Sequence, residues 1–465
     1  MDKKNLRDMR TFYDIHIHAL NLSHPSLTAF MLRGDMKNLL DKLVKANKLE
    51  LFMLGLGSVL FPSLTKKAIL AKLNANAKSP LALAANCLAF FEIPLEYQFL
   101  VLEYFLTRGE PKIFNADNQL TVGALAANAF DKIALCPLAV DFGFKNIPDS
   151  IYYRLSPKRP IANQVGDLLY AIRTYYRFNL EVKDRTMHLS PEIEDFLERK
   201  HEKLFEIYPF MGLDTRNYTL EEVQRLLEKF FVNFTKDESG EARRKRLFEK
   251  TGKLDSNMYK AREEYADVFA GIKVYPQLGF DPWPEPGVER EKVCCLYEFC
   301  EDRRVPITAH CSDGGYKTGD HDAKTSPTGR WADALKKHPN LTLNFAHFGE
   351  ESNSPKRQWR NAIIALAAKY PNVYADISCN DATPDYYDEL ENLFKPDPKS
   401  KFKNLPPVHN PDLHKKILFG SDFSINLLGS KVNSYNEYLK TFTTARLSHK
   451  TDLCEKNPRR FLFGE

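Results

Sequence analysis

The chain has 465 residues, 43% of them apolar and 27% charged, and carries a formal net charge of +5. These are ordinary globular values that exclude wholesale disorder, and no basic face or recognition motif accompanies the small positive excess to argue for nucleic acid. Residues 1–11 lack the apolar core of a signal peptide, and the greasy stretch 81–106 carries Glu92, Pro94, Glu96 and Glu103, too polar for a membrane span.

Along the chain, strand-like apolar runs alternate with helical stretches, the pattern of βα units around a parallel sheet. The runs predict eight strands, at 12–18, 133–141, 205–213, 269–277, 306–311, 341–347, 372–378 and 416–422. Helices are predicted over 163–177, 219–233, 288–303, 330–337 and 359–370, and Thr219-Leu220-Glu221-Glu222 has a capping-box pattern. The expected fold is α/β, a (β/α)8 TIM-type barrel forming a single domain over 1–465.

The stretch 21–130 is too long for a βα connection; its leucine and alanine periodicity predicts a long helical insertion after the first strand, packed over or beside the rim. A second strand at 49–54 would make 133–140 the third; the later placement is preferred because 204–214 then completes eight. The charged stretch 235–267 reads as surface helix or loop, and its run Arg243-Arg244-Lys245-Arg246 as a solvated helix face. The stretch 395–414, rich in Pro and Lys, reads as an extended excursion. Eight cysteines without a C-x-x-C, two of them adjacent at Cys294-Cys295, are no disulfide framework and point to a reducing cytoplasm. Cys136 and Cys379, inside strand-like runs, read as small core residues.

Several strands end in a residue able to hold a metal. Phe12-Tyr13-Asp14-Ile15-His16-Ile17-His18 is the first; later runs end at His310, at His347 and at Asp422. Alternate side chains of a strand share a face, so His16 and His18 point the same way. Two imidazoles on one strand face are awkward to satisfy in a core without a shared partner. With a third His and an Asp from other strand ends they make an N/O set suited to zinc, and a parallel barrel gathers such ends at one rim. Asp14, one pleat deeper on that face, is placed to orient His16 as a hydrogen-bond acceptor.

These residues resemble the amidohydrolase superfamily, in particular its metal-dependent (β/α)8 hydrolases and decarboxylases related to aminocarboxymuconate semialdehyde decarboxylase. The likeness runs from His16-x-His18 through Gly271-Ile272-Lys273-Val274-Tyr275-Pro276, His310 and His347 to Gly420-Ser421-Asp422-Phe423 and Asn457-Pro458-Arg459-Arg460-Phe461-Leu462. It leaves 21–130 unexplained. The resemblance implies that His16, His18, His310 and Asp422 bind one divalent metal, zinc by preference, with His347 beside it touching water or substrate. Asp422 and His347 are then the catalytic pair, Asp422 moving a proton and His347 polarising the attacked carbonyl.

Lys273 on the fourth strand is read as a buried ammonium, paired with a carboxylate or aimed at an anionic substrate, rather than as a carbamylated bridge between two metals. Trp283 floors a pocket or packs a proline turn. Arg216 clamps a substrate carboxylate or pairs with Asp214. Tyr316 lies in a Gly-Gly loop after His310 that suits a mobile βα connection. His321 and His24 read as loop residues near the rim, while His188, His201, His338, His409, His414 and His449 receive no role.

The expected activity is hydrolysis of a C–N, C–O or lactone bond in a small, carboxylate-bearing substrate by a metal-activated water. Non-oxidative decarboxylation on the same scaffold is the alternative, with Arg216, Arg330 or Lys317 as the clamp for the leaving carboxylate. A third reading is a non-catalytic barrel whose insertion serves as a partner surface. No nucleic acid or membrane partner is expected; the insertion is a candidate for capping the site or for a homodimer contact.

Overall fold

The computed structural model describes residues 9–19, 93, 95–115, 119–122, 129–141, 161–181, 203–254, 265–315, 324, 326–351, 357–397, 399, 410–429, 432 and 434–465. Its parallel strands are β1 (Thr11–Ile17), β2 (Lys132–Pro137), β3 (Phe205–Ile207), β4 (Phe210–Gly212), β5 (Gly271–Val274), β6 (Ile307–Ala309), β7 (Leu343–Phe345), β8 (Val373–Asp376) and β9 (Ile417–Leu418). All seven residues of β1 are buried, as suits a parallel strand covered on both faces. The principal helices are α1 (Gln98–Arg108), α2 (Ile161–Glu181), α3 (Leu220–Phe230), α4 (Gly240–Gly252), α5 (Val288–Arg303), α6 (Arg330–Lys337), α7 (Gln358–Lys369), α8 (Pro384–Phe394), α9 (Tyr435–Thr444) and α10 (Asn457–Phe463).

The strands form two parallel sheets, ordered β1-β2-β3 and β9-β8-β7-β6-β5-β4. Strand occurs at all eight expected positions, but the third is broken into β3 and β4 at Tyr208-Pro209. Pro209 has no N–H to donate to the ladder. The run therefore changes partner there, β3 pairing with β2 and β4 with β5. The sheets also touch at both edges. Leu138 bridges Phe210, with Ala139 N donating to Phe210 O at 3.1 Å, and Ile17 bridges Phe423, with Ile15 N donating to Phe419 O at 3.1 Å. Phe12, Phe419 and Phe442 pack there, with centroids 4.9 Å apart between the first two and 4.5 Å between the last two. Each such buried ring contributes roughly 1.5–3 kcal/mol.

Because β1 pairs directly with β2, from Thr11 against Lys132 to Ile17 against Pro137, no strand from 21–130 lies between them. Much of that stretch, 49–54 included, falls outside the described residues. Within it, α1 is helical as expected, whereas Leu120–Thr121 and Ala129–Phe130 form an antiparallel ribbon. Glu103 of α1 accepts from Leu204 N at 2.9 Å, just before β3 begins. That anchor is at the N-terminal ends of the strands, away from the rim where α1 was expected.

The capping box of α3 is present: Glu222 N donates to Thr219 Oγ1 at 3.2 Å, and Thr219 N to Glu222 Oε2 at 2.9 Å. The basic run in α4 is not the expected solvated face. Arg243 is fully buried, donating to Glu238 at 3.0 Å and to Arg304 O at 2.7 Å beneath the Phe234 ring. Arg244 pairs with Glu206 at 2.9 Å and Arg246 with Glu238 at 2.7 Å, leaving Lys245 as the exposed member. Long stems that bury while their heads find acids make such a run look polar in sequence. Among the described residues no helix is long and apolar enough to cross a membrane.

Candidate metal centre

His16 and His18 occupy the C-terminal end of β1 and its exit, with ring centroids 5.3 Å apart. Asp422 reaches them through the turn after β9. The backbone N–H groups of Ser421 and Asp422 both donate to His16 O, at 3.2 and 2.7 Å. Gly420 permits this approach, since a Cβ there would stand 2.8 Å from His16 Cβ. Asp422 itself is left-handed, with φ 60°. As a result His16 Nε2 and His18 Nε2 lie 3.3 and 3.2 Å from the same oxygen, Asp422 Oδ1.

Those separations bear on a metal. Donors held at about 2.0–2.1 Å around a tetrahedral ion stand about 3.3 Å from one another. His16 Nε2 is buried and has no hydrogen-bond partner, which costs free energy unless something else engages it. His16, His18 and Asp422 therefore could hold a metal ion, and a second group, His16, His347 and Asp376, has similarly close donors.

Asp376, at the end of β8, received no role in the sequence. Its carboxylate accepts from Asn344 Nδ2 at 2.7 Å, His347 N at 3.0 Å, Ser378 N at 3.1 Å and Ser378 Oγ, and lies 3.0 Å from His16 Nδ1. Asp376 thus orients the His16 ring, a task expected of Asp14. Asp14 instead holds backbone: it accepts from His16 N at 3.2 Å, Ser421 N at 3.0 Å and the Tyr435 hydroxyl at 2.7 Å. The reason is pleat geometry. One strand places Asp14 beneath His16, while the end of β8, on the far side of β9, is level with its ring. The available signal was an acid closing a strand whose fellow strands end in metal-binding residues.

His347 follows β7 at φ 61°, with Phe348 at φ 48°, and this left-handed pair turns the chain over the centre. Its Nδ1 lies 2.9 Å from Ser378 Oγ and its Nε2 3.1 Å from His310 Nδ1. His310 stacks on Tyr275 at 4.1 Å, and its Nε2 donates to Gly314 O at 3.1 Å. It adjoins the close donor groups but is a member of neither. Gly315, at φ 88°, lets the following loop cross these rings, where a Cβ would strike the Tyr275 hydroxyl and His310.

Lys273 is buried, and its Nζ has no hydrogen-bond partner. Burial lowers its pKa to about 8, although Asp376 and Asp422 oppose the shift. Arg216 has the ion-pair arrangement, held by Asp214 at 2.6 Å and Leu278 O at 2.6 Å. Trp283 lies under the Arg290 guanidinium at 3.8 Å and edge-on to His338. Cys379, expected in the core, is exposed beyond β8 at φ 56°, whereas Cys136 is buried. Tyr316, Lys317, His321 and His24 lie outside the described residues.

The charge states divide the centre sharply. Burial opposes ionisation of Asp422, but its close contacts with His16 and His18 outweigh it and hold the carboxylate well below its ordinary range. Burial likewise opposes ionisation of Asp376, and the charge of His16 overcomes it. Burial would lower His16, yet Asp376 raises it above the ordinary histidine value. Burial depresses His18 despite Asp422. His310 falls well below the ordinary value through burial and the nearby His347, and burial brings His347 to about 4 against the pull of Asp422. Two fixed carboxylates thus face His18, His310 and His347, which burial holds toward the neutral form that ligates metals, and His16, which Asp376 shifts the other way.

Residues 257–464 match the family model described as Amidohydrolase. The match takes in His310, His347, Asp376 and Asp422, and it supports the amidohydrolase superfamily and an enzyme. Among solved structures, the chain is similar to amidohydrolase 2 from Bifidobacterium longum subsp. infantis at 19% identity and TM-score 0.26, over 42% of this chain and 61% of that one. The chain therefore spans about three fifths of that relative's length. An uncharacterized TIM-barrel protein from Bordetella bronchiseptica is 15% identical, with TM-score 0.31, over 70% of this chain and 98% of that one. An amidohydrolase from Mycobacterium avium subsp. paratuberculosis is 14% identical, with TM-score 0.28, over 72% and 71%. No curated protein matches the chain.

Proposed function

We propose that the chain is a metal-dependent hydrolase that cleaves a C–N, C–O or lactone bond in a small substrate at the rim of a (β/α)8 barrel. The observation that carries this reading is the convergence of His16 Nε2 and His18 Nε2 on Asp422 Oδ1, at 3.3 and 3.2 Å. The barrel is supported by eight parallel strand positions in two sheets that touch at both edges, and 21–130 is taken as an insertion within one unit.

His16, His18 and Asp422 would hold one divalent ion, zinc by the chemistry of the donors, with His310 as the further imidazole that the resemblance adds to the set. When bound, such an ion supplies Lewis acidity and brings the pKa of water toward neutrality. Asp422, kept ionised by its histidine contacts, accepts a proton from the attacking water and returns it to the leaving group. His347, kept neutral, donates a hydrogen bond to the oxygen on which charge develops. Asp376 and Ser378 fix the His16 and His347 rings, so little reorganisation remains for the chemical step.

Hydrolysis is favoured over decarboxylation because two of the groups suggested as a carboxylate clamp are engaged elsewhere. Arg216 is held by Asp214, and Arg330 by Asp281 and the carbonyl of Trp283. The test is a panel of lactones, amides, esters and hydroxybenzoates offered to zinc-loaded protein, with proton and carbon dioxide release followed together. Consumption of a lactone, ester or amide without carbon dioxide, abolished in Asp422→Asn, is the expected result. Carbon dioxide release matching substrate consumption would replace hydrolysis with decarboxylation.

A further inference from the structure

A second group of metal-binding side chains lies away from this centre. His414, His449 and Asp452 each offer one donor atom, and the three atoms lie within 4.8 Å of one another. His414 belongs to the turn Leu413–Lys415, immediately before β9. It therefore sits at the N-terminal end of the strand whose C-terminal end leads to Asp422, on the opposite side of the sheet edge from the centre. His449 and Asp452 come from the segment that leads through the π-helical turn Asp452–Lys456 into α10.

The cluster is built from both segments. The His414 and His449 rings stack with centroids 4.0 Å apart and planes 25° apart. Phe394, the last residue of α8, presents its ring to both, at 6.4 and 6.5 Å. His449 has a left-handed backbone, φ 60°, a conformation that few residues with a Cβ adopt. Asp452 is held at both oxygens: Oδ1 accepts from Lys456 Nζ at 2.8 Å, and Oδ2 lies 3.2 Å from His449 Nδ1. A carboxylate fixed on one side by a lysine thus presents its other oxygen to His449, whose ring stacks on that of His414.

We infer that His414, His449 and Asp452 form a second, peripheral transition-metal site that ties the segment before β9 to the segment before α10. Two imidazoles and one carboxylate suit zinc, nickel or copper(II), whereas magnesium and calcium require more oxygen donors. His449 is the exposed member, with 43% of its side chain accessible, so an ion can enter from solvent and water can complete its coordination. Lys415 and Lys456 add positive charge nearby, which makes this site weaker than the buried centre. The inference does not depend on the reaction proposed above.

Full-length protein loaded with zinc and stripped of loosely held ions is titrated with Ni²⁺ by calorimetry, and bound metals are counted by mass spectrometry. One further equivalent of nickel is expected, with the central zinc retained. His449→Ala, His414→Ala and their double variant should each lose that equivalent and keep the central zinc. Copper(II) added to the same wild-type protein should give an electron paramagnetic resonance spectrum with coupling to two nitrogens, a readout that needs no variant. Absence of a further equivalent in the wild type, its persistence in the double variant, or a copper spectrum without nitrogen coupling would each overturn the site.

Discussion

His16 and Asp376 are 360 residues apart in the chain, yet His16 Nδ1 lies 3.0 Å from Asp376 Oδ2, with both side chains fully buried. This contact fixes the imidazole so that Nε2 faces Asp422. Removing the carboxylate charge in Asp376→Asn should therefore weaken metal binding by about 10–100-fold. Chelator competition measures it. An unchanged affinity would show that His16 is oriented by packing alone.

His16→Ala removes one of the two imidazoles that converge on Asp422 Oδ1. The expected outcome is loss of the central metal and of activity, with the far-ultraviolet circular dichroism of the wild type preserved. Full central metal content in this variant would mean that other residues are the ligands.

Tyr435→Phe deletes the hydroxyl that donates to Asp14 Oδ2 at 2.7 Å. Leaving a buried acceptor without that donor costs about 1–3 kcal/mol. Urea denaturation should show the loss. Because Asp14 also holds Ser421 N, the turn that carries Asp422 should loosen too, seen as faster exchange of the Ser421 amide. Wild-type stability together with wild-type exchange would remove Asp14 and Tyr435 from the support of the centre.

Lys273 gives a dependence on pH. Its folded pKa, about 8, is depressed by burial below the ordinary lysine value of 10.5. The unfolded chain therefore binds more protons between these values, and the contribution of Lys273 to stability rises with pH across that window and is lost as pH falls through 8. In metal-free protein, the stability of wild type minus that of Lys273→Met should climb by about 1.4 kcal/mol per pH unit from about 8 to about 10.5. Denaturation curves at four pH values across the window decide it; a flat difference would mean an ordinary ammonium.

Much of the frame was legible in the sequence, because parallel strands covered on both faces appear as continuous apolar runs; Ile133 to Cys136 and Ile417 to Phe419 are examples. The break at Tyr208-Pro209 was less so, since one apolar run here serves two sheets. His16, His18 and Asp422 announced themselves by position at strand ends. Asp376 did not, because its importance lies in which strand end, here that of β8 across β9, is level with the His16 ring, a matter of register. Arg243 was misjudged for the opposite reason: a run of charges gives no hint that one guanidinium has been taken inside by Glu238 and a backbone carbonyl.

The hydrogen bonds from Ser421 and Asp422 to His16 O join the earliest strand to the last, and this has a consequence for biosynthesis. As the nascent chain leaves the ribosome, β1 emerges with its edge bare and must wait for β9. At about 5–20 residues per second that wait is on the order of half a minute, during which the unpaired edge of β1 is open to mispairing. Metal acquisition by His16, His18 and Asp422 together consequently waits until Asp422 has emerged, long after both histidines.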